Sequence, residues 1–211
     1  MNITKYEHAC LVVEEQGKKL IIDPGVFTTS LPRLNDVVAV VVTHVHADHF
    51  DIEKLRAIVQ QNPNVRIFGT AEVAKEAGEL PVTAVTGGSG ETIAPFSLVF
   101  YGEQHAEIHP TMPRTQNVGV LVNDTLYYPG DSFTMPGVPV KVLATPTSAP
   151  WLKAGEVIDF LRAVKPTQAF STHDALLSDI GHSMLNNYVQ NICGEFGATF
   201  TYLRSGESLH M

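Results

Sequence analysis

Six consecutive residues, Val37-Val38-Ala39-Val40-Val41-Val42, are apolar and mostly β-branched, and the chain that leaves them reads Thr43-His44-Val45-His46-Ala47-Asp48-His49. The run predicts a strand covered on both faces, because a strand with one wet face alternates apolar and polar residues. His44 and His46 are two positions apart, so in extended chain they point to the same side. Asp48 and His49 follow where the chain must turn, since Asp51 is placed to cap a helix from Ile52 to about Gln61. The apolar set of that helix, Ile52, Leu55, Ile58 and Val59, has helical spacing. Four side chains able to ligate metal, within six residues at a strand end, make a poor packing solution. Imidazole and carboxylate together suit zinc, manganese or iron.

The rest of the chain alternates strand and helix patterns. Ala9 to Val13 and Lys19 to Ile22 are predicted strands joined by a turn containing Gly17, and Asp23-Pro24-Gly25 stops the second. Val65 to Phe68, Phe96 to Tyr101, Val118 to Val122, Thr125 to Tyr128, Val138 to Leu143, Ala169 to Thr172 and Thr199 to Leu203 also read as strands. Asn123-Asp124 makes a tight hairpin turn. Thr70 caps a short helix through Ala77 that Gly78 ends. Further helices are expected over Ala154 to Val164 and around Met184 to Ile192. Strands dominate both halves, which predicts two sheets packed face to face with helices outside. No linker or low-complexity tract divides the chain, so residues 1–211 read as one domain.

Composition narrows the function. The 211 residues carry 14 basic and 22 acidic side chains, a net charge of −8, and 44% of them are hydrophobic. That excludes a disordered chain and argues against a nucleic-acid partner held by bulk positive charge. The longest apolar run is far too short to span a bilayer, so no membrane partner is expected. Cys10 and Cys193 form no Cys-x-x-Cys pair and no disulfide framework. With no secretory signal pattern at the start, a cytoplasmic location is expected. A homo-oligomer stays open.

Nine histidines are the unusual count. Beyond the cluster, His105 follows the Phe96–Tyr101 strand, Asp131 follows Tyr127-Tyr128-Pro129-Gly130, and His173 follows Ala169-Phe170-Ser171-Thr172. Strand ends at one edge of a sandwich converge. Seven ligands would meet there: His44, His46, Asp48, His49, His105, Asp131 and His173. Seven exceed the needs of one tetrahedral ion and suit two ions that share a carboxylate. The spacing His105-Ala106-Glu107-Ile108-His109 is not that of a zinc protease, which needs glutamate directly after the first histidine. Ser89 lacks the glycine of a nucleophile elbow at position 91.

His44-Val45-His46-Ala47-Asp48-His49 resembles the H-x-H-x-D-H signature of the metallo-β-lactamase superfamily. The later histidine, Gly-Asp aspartate and histidine follow in that superfamily's order, and Ile21-Ile22-Asp23-Pro24-Gly25 is similar to its first motif. The resemblance implies an αββα sandwich with two central, mostly antiparallel β-sheets flanked by helices, and a dinuclear site at one edge. It implies that His44, His46 and His105 hold one ion, that Asp48, His49 and His173 hold the other, and that Asp131 bridges. Asp23 would orient the signature loop by hydrogen bonds. The segment from His8-Ala9-Cys10 to Asp23-Pro24 is similar to the branch containing ascorbate-6-phosphate lactonase, although Glu7 stands where that branch has glycine.

The expected function is metal-dependent hydrolysis. Two divalent ions, zinc in the first place and manganese in the second, would activate water to cleave a small anionic ester, lactone or phosphoester. Asp48 would also orient the nucleophile or carry its proton. His8, His109, Arg114 and Trp151 are the candidates for contact with the substrate, Arg114 by a two-point grip on an anion. The alternatives are a phosphodiesterase or nuclease of the same fold, or a non-catalytic metal-binding domain. Di-iron oxygen- or nitric-oxide-reducing relatives carry glutamate where this chain has His46.

Overall fold

The computed structural model describes residues 1–211. Strand β1 (Asn2–Lys5) is followed by the hairpin of β2 (Leu11–Glu15) and β3 (Lys18–Ile22). The apolar run forms β4 (Val37–Val42), and α1 (Ile52–Gln61), β5 (Arg66–Gly69), α2 (Ala71–Glu76) and β6 (Val82–Ala84) come next. A meander of β7 (Gly90–Ile93), β8 (Phe96–Tyr101), β9 (Gly119–Val122) and β10 (Leu126–Tyr128) opens the second half. It continues through β11 (Val142–Pro146), α3 (Ala154–Val164), β12 (Gln168–Thr172), α4 (Asp179–Glu195), β13 (Thr199–Phe200) and β14 (Ser208–His210).

These strands make two seven-stranded sheets, ordered β14-β1-β2-β3-β4-β5-β6 and β13-β12-β11-β10-β9-β8-β7. The sheets are evenly mixed, which corrects the expectation of mostly antiparallel pairing. In each, three neighbouring pairs are antiparallel and three are parallel. The reason is connectivity. Hairpins reverse the chain, whereas α1, α2, α3 and α4, and the long loops 23–36 and 129–141, each carry it back so that the next strand runs parallel.

Side-chain alternation then sorts the apolar residues into three layers. Between the sheets lies a core that includes Leu11, Leu20, Ile22, Ala39, Val41 and Phe68 from one and Phe100, Val120, Tyr128, Val142 and Phe170 from the other. On the outer face of the first sheet, Val40, Val42 and Ile67 pack against Leu55 and Ile58 of α1 and Val73 of α2. On the outer face of the second, Tyr127, Leu143 and Ala169 pack against Val157, Phe160 and Leu161 of α3 and Val189 and Ile192 of α4. Both faces of β4 are therefore covered, as a six-residue apolar strand requires. The order helix, sheet, sheet, helix is the αββα sandwich.

Two sequence expectations shift, and one pairing was not expected. The strand expected over Val138 to Leu143 runs instead from Val142 to Pro146, because Pro139 cannot donate to a ladder. The strand expected to Leu203 ends at Phe200. β1 and β14 pair with each other at one sheet edge, though neither carries a clear apolar alternation. No helix is long and apolar enough to cross a membrane.

Candidate metal centre

The signature loop hangs from a buried carboxylate. Asp23, directly after β3, accepts hydrogen bonds from the Thr43 backbone N–H and the Thr43 hydroxyl, each at 2.7 Å, and from Nδ1 of His49 at 2.7 Å. Its backbone sits in the left-handed region at φ 49°. The loop also rests on Gly25, where a Cβ would lie 2.0 Å from the Asp48 carbonyl oxygen and 2.4 Å from the His49 nitrogen. Backbone therefore meets backbone at a position only glycine can hold. Above it, the His49 and Phe50 N–H groups both donate to the His46 carbonyl, and Asp51 caps α1 through the Glu53 and Lys54 N–H groups.

The other ligand candidates come from the facing sheet. His105 lies in the loop after β8, Asp131 follows β10 and His173 follows β12. Gly130 is at φ 63°, and a Cβ there would meet Asn117 Oδ1 at 2.4 Å and Thr43 Cβ at 2.9 Å. Asn117 Oδ1 accepts the Asp131 N–H at 3.0 Å, and the Ala106 N–H donates to the Asp131 carbonyl at 2.8 Å. His173 is also left-handed, at φ 55°.

The geometry brings all seven together. Nε2 of His49 is 3.1 Å from Asp131 Oδ1, and Nε2 of His105 is 3.3 Å from Asp131 Oδ2. Nε2 of His173 is 3.0 Å from Asp131 Oδ2 and 3.2 Å from Asp48 Oδ2. Ligating atoms within 4.8 Å of one another fall into three groups: His44, His46 and His105; His44, His49 and Asp131; and His8, Asp48, His49 and His173. Asp131 is thus central, and Asp48 and His46 sit towards the outside, both half-buried.

The tautomers suit a cation. In four buried histidines Nδ1 faces an acceptor: the Thr43 hydroxyl oxygen for His44, Asp23 for His49, the Ala106 carbonyl for His105 and the Ser148 carbonyl for His173. The Thr43 hydroxyl is itself spent as a donor to Asp23, so it accepts from His44. A proton fixed on Nδ1 leaves Nε2 with its lone pair, and the partner sets the ring's orientation. All four Nε2 atoms, and Asp131 Oδ1, are buried without a hydrogen-bond partner. The short contacts between them are therefore convergence on a shared point, since buried polar atoms are almost always paired. Unpaired lone pairs and carboxylates converging in a buried pocket fit a metal centre.

The charges of these side chains tell the same story. Burial pushes His44 well below the usual imidazole range, and His49 adds to it; burial and then His105 lower His46. For His49 and His173 burial works the other way from their surroundings and loses. Asp131 and Asp23 raise His49 well above its ordinary value, and Asp131 with Asp48 raises His173 to about 9. Burial also opposes ionisation of Asp131 and Asp48, yet both are held low, Asp131 first by His49 and His173 and Asp48 by His173 and His8. Protonated imidazoles balance the carboxylates that a divalent ion would otherwise neutralise.

The four residues expected to touch substrate divide differently. His8 is fully buried, and its Nε2 lies 3.0 Å from Asp48 Oδ2. Trp151 is buried, and its indole N–H donates to Asp131 Oδ2 at 2.8 Å. Neither is free for a substrate; each holds a carboxylate. Arg114 donates from Nε and Nη2 to the His105 carbonyl at 3.2 and 2.9 Å. Its two-point edge is spent on that carbonyl and not offered to an anion. His109 is exposed and paired with Thr111. A cavity of about 400 Å³ beside His46 is lined by Glu72, Lys75 and Arg114 among others, while one of about 370 Å³ between the 28–34 loop and α1 contains no ligand candidate. Sequence reasoning missed Asn117, which braces Asp131, and Thr43, which links Asp23 to His44. Neither has a sequence signature, since each acts through hydrogen bonds made only once the loops are folded together.

Comparison with known proteins bears on this geometry. A family described as the beta-lactamase superfamily domain matches residues 2–173. Protein Rv0786c of Mycobacterium tuberculosis is 36% identical over 183 residues, covering 84% of this chain and 86% of its own. A UPF0173 metal-dependent hydrolase of Methanocaldococcus jannaschii is 31% identical over 140 residues, 62% of this chain and 60% of its own. Among solved structures, Igni18, a metallo hydrolase of the archaeon Ignicoccus hospitalis, superposes with a TM-score of 0.75 at 16% identity, covering 99% of this chain and 97% of its own.

Proposed function

The chain belongs to the beta-lactamase superfamily, and from that premise we propose that it is a metal-dependent hydrolase with two divalent ions, acting on a small anionic ester, lactone or phosphoester. The observation that carries the reading is the set of four buried imidazoles whose Nδ1 atoms are tied to acceptors and whose Nε2 atoms lie unpaired, three of them within 3.3 Å of Asp131 and the fourth, of His44, grouped with His49 and Asp131 within 4.8 Å. The similarity to a metal-dependent hydrolase and to a metallo hydrolase supports it. Residues 1–211 serve as one catalytic domain in this reading.

His44, His46 and His105 would hold one ion, Asp48, His49 and His173 the other, with Asp131 between them; zinc is the first choice and manganese the second, since both accept this donor set. Ions bound there supply Lewis-acid polarisation of the substrate oxygen and a water acidic enough to react near neutral pH. The protein's own residues do the rest. Asp23 and Thr43 fix the rings of His49 and His44. Trp151 and Asn117 fix Asp131. Asp48 is the most open of the three carboxylates, its side chain 21% exposed against 3% for Asp131 and 0% for Asp23. Its polar side-chain contacts all run through Oδ2, which leaves Oδ1 to take a proton from the attacking water. The substrate enters from the His46 side, where Lys75 lines the cavity. The net charge of −8 leaves attraction of an anion to the centre itself and fits neither a nucleic-acid nor a membrane partner. Buried, unpaired Cys10 and Cys193 suit a reducing, cytoplasmic setting.

Metal content and turnover test the reading together. Protein purified without chelator should hold about two zinc or manganese ions per chain and turn over members of a panel of lactones, phosphoesters and thioesters. His46→Ala should abolish turnover and leave the circular dichroism spectrum intact. Less than one ion per chain after reloading, or wild-type turnover by His46→Ala, would overturn it.

A further inference from the structure

His8 sits among the ligand candidates by distance, yet its hydrogen bonds are reversed. In His44, His49, His105 and His173 the Nδ1 atom faces an acceptor. In His8 the Nδ1 atom faces a donor, the backbone N–H of Ala175, at 3.3 Å. Nδ1 must therefore keep its lone pair, and in the neutral ring the proton resides on Nε2. Nε2 points at Asp48 Oδ2, 3.0 Å away. An N–H there donates to the carboxylate and has no lone pair for a metal.

We propose that His8 is not a ligand but a positioning residue, which holds Asp48 by an Nε2–H···Oδ2 hydrogen bond and ties that carboxylate to the His173 loop. The inference rests on reading the surrounding residues as a metal centre. Three bonds make the tie. The His173 backbone N–H donates to the His8 carbonyl at 2.8 Å, the Ala175 N–H donates to the ring, and the ring donates to Asp48. The β1–β2 turn, the signature loop and the loop after β12 are thereby locked in one register. His8 is held for this at φ 62°, a conformation that a residue other than glycine adopts only when its surroundings enforce it. Full burial excludes contact with substrate. Of the carboxylates in the centre, Asp48 is the one at a partly open loop position, so it is the one whose orientation most needs a partner.

The test uses zinc-loaded protein labelled with ¹⁵N-histidine. A long-range ¹H–¹⁵N correlation reads which ring nitrogen is protonated, and substitution with ¹¹³Cd reads direct metal–nitrogen coupling. The expected result is a protonated Nε2 and a bare Nδ1 in His8, with no cadmium coupling to either. Variants supply the second readout. His8→Phe keeps the ring and removes the donor, while His8→Gln returns an N–H near the Nε2 position; both bear the same backbone strain. His8→Phe should still bind two ions but hold the weaker one about 10–100-fold less tightly, and His8→Gln should recover most of that loss. Should His8→Phe fail to fold, the spectra of the wild-type protein decide alone. Cadmium coupling to His8 Nε2, or ion affinities in His8→Phe equal to wild type, overturns the proposal and leaves the metal centre standing. A wild-type protein that binds no ion removes the centre and the proposal with it.

Discussion

Trp151 spends its indole N–H on Asp131, the carboxylate that three imidazoles approach within 3.3 Å. Trp151→Phe keeps the aromatic packing against His105 and Phe133 and removes only the donor. Loss of a hydrogen bond to a charged group costs ~1.5–3 kcal/mol, so ion affinity should fall by roughly ten- to a hundredfold, as competition with a fluorescent chelator would show. Titration of the centre gives a second prediction. In metal-free protein His173 is raised to about 9, so at pH 7 it carries a proton that an incoming ion must displace. Ion uptake should therefore release protons, and affinity should climb from pH 7 towards 9, measurable by calorimetry in buffers of different ionisation enthalpy. The stability of the metal-free protein follows with the opposite sign. Protonated His173 favours the folded state below about 6.5, and that contribution disappears as pH rises through about 9. His44 and His46 are lowered by burial, so acid below about 6.5 favours the unfolded chain, which takes up those protons. The seven ligand candidates were legible in the sequence because their spacing and strand-end positions are rare. Of their partners Asp23 alone was expected, from the resemblance; Ala106 and Ser148 contribute backbone carbonyls, which every residue has.

Elements with strong periodicity were legible as well. α3 runs over the predicted Ala154 to Val164, and α1 starts after the predicted Asp51 cap, because caps and apolar stripes are local properties of the chain. The strands at the sheet margins were not. β1 and β14 are four and three residues long, and their existence depends on each other and on β2, partners far away in sequence. The hinge between legible and illegible is Asp23-Pro24-Gly25. Its spacing alone reads as the end of a strand, and only the resemblance gave Asp23 a role beside the signature loop; in three dimensions Gly25 is also the floor under that loop. Gly25→Ala would put a methyl 2.0 Å from a backbone oxygen, a clash that only movement of residues 48 and 49 relieves. The variant should fold, with a lower melting temperature, and bind less than half the wild-type ion content. Elemental analysis beside thermal denaturation checks both halves. Asp51→Ala removes the α1 cap two residues beyond His49 and should cost about 1 kcal/mol of stability.

Across the whole molecule, the ligand candidates are shared between sheets: the loop after β4 belongs to one, and those after β8, β10 and β12 to the other. Ions bound to the folded state alone would stabilise it by mass action, about 2.7 kcal/mol for each site at free ion a hundred times its dissociation constant. Dialysis against a chelator should lower the melting temperature, and returning zinc or manganese should restore it. An unchanged melting temperature would mean that the sheets hold together without help from the centre.

The spacing of those loops along the chain also sets a timetable. During synthesis from the N-terminus, His44, His46, Asp48 and His49 emerge first, His105 and Asp131 follow, and His173 comes last of the seven. The sheet that supports the signature loop waits longer still, because β14 pairs with β1 from residues 208–210. Contacts this distant form late and slowly. A nascent chain would therefore expose His44, His46, Asp48 and His49 before His105, Asp131 and His173 exist to complete the set.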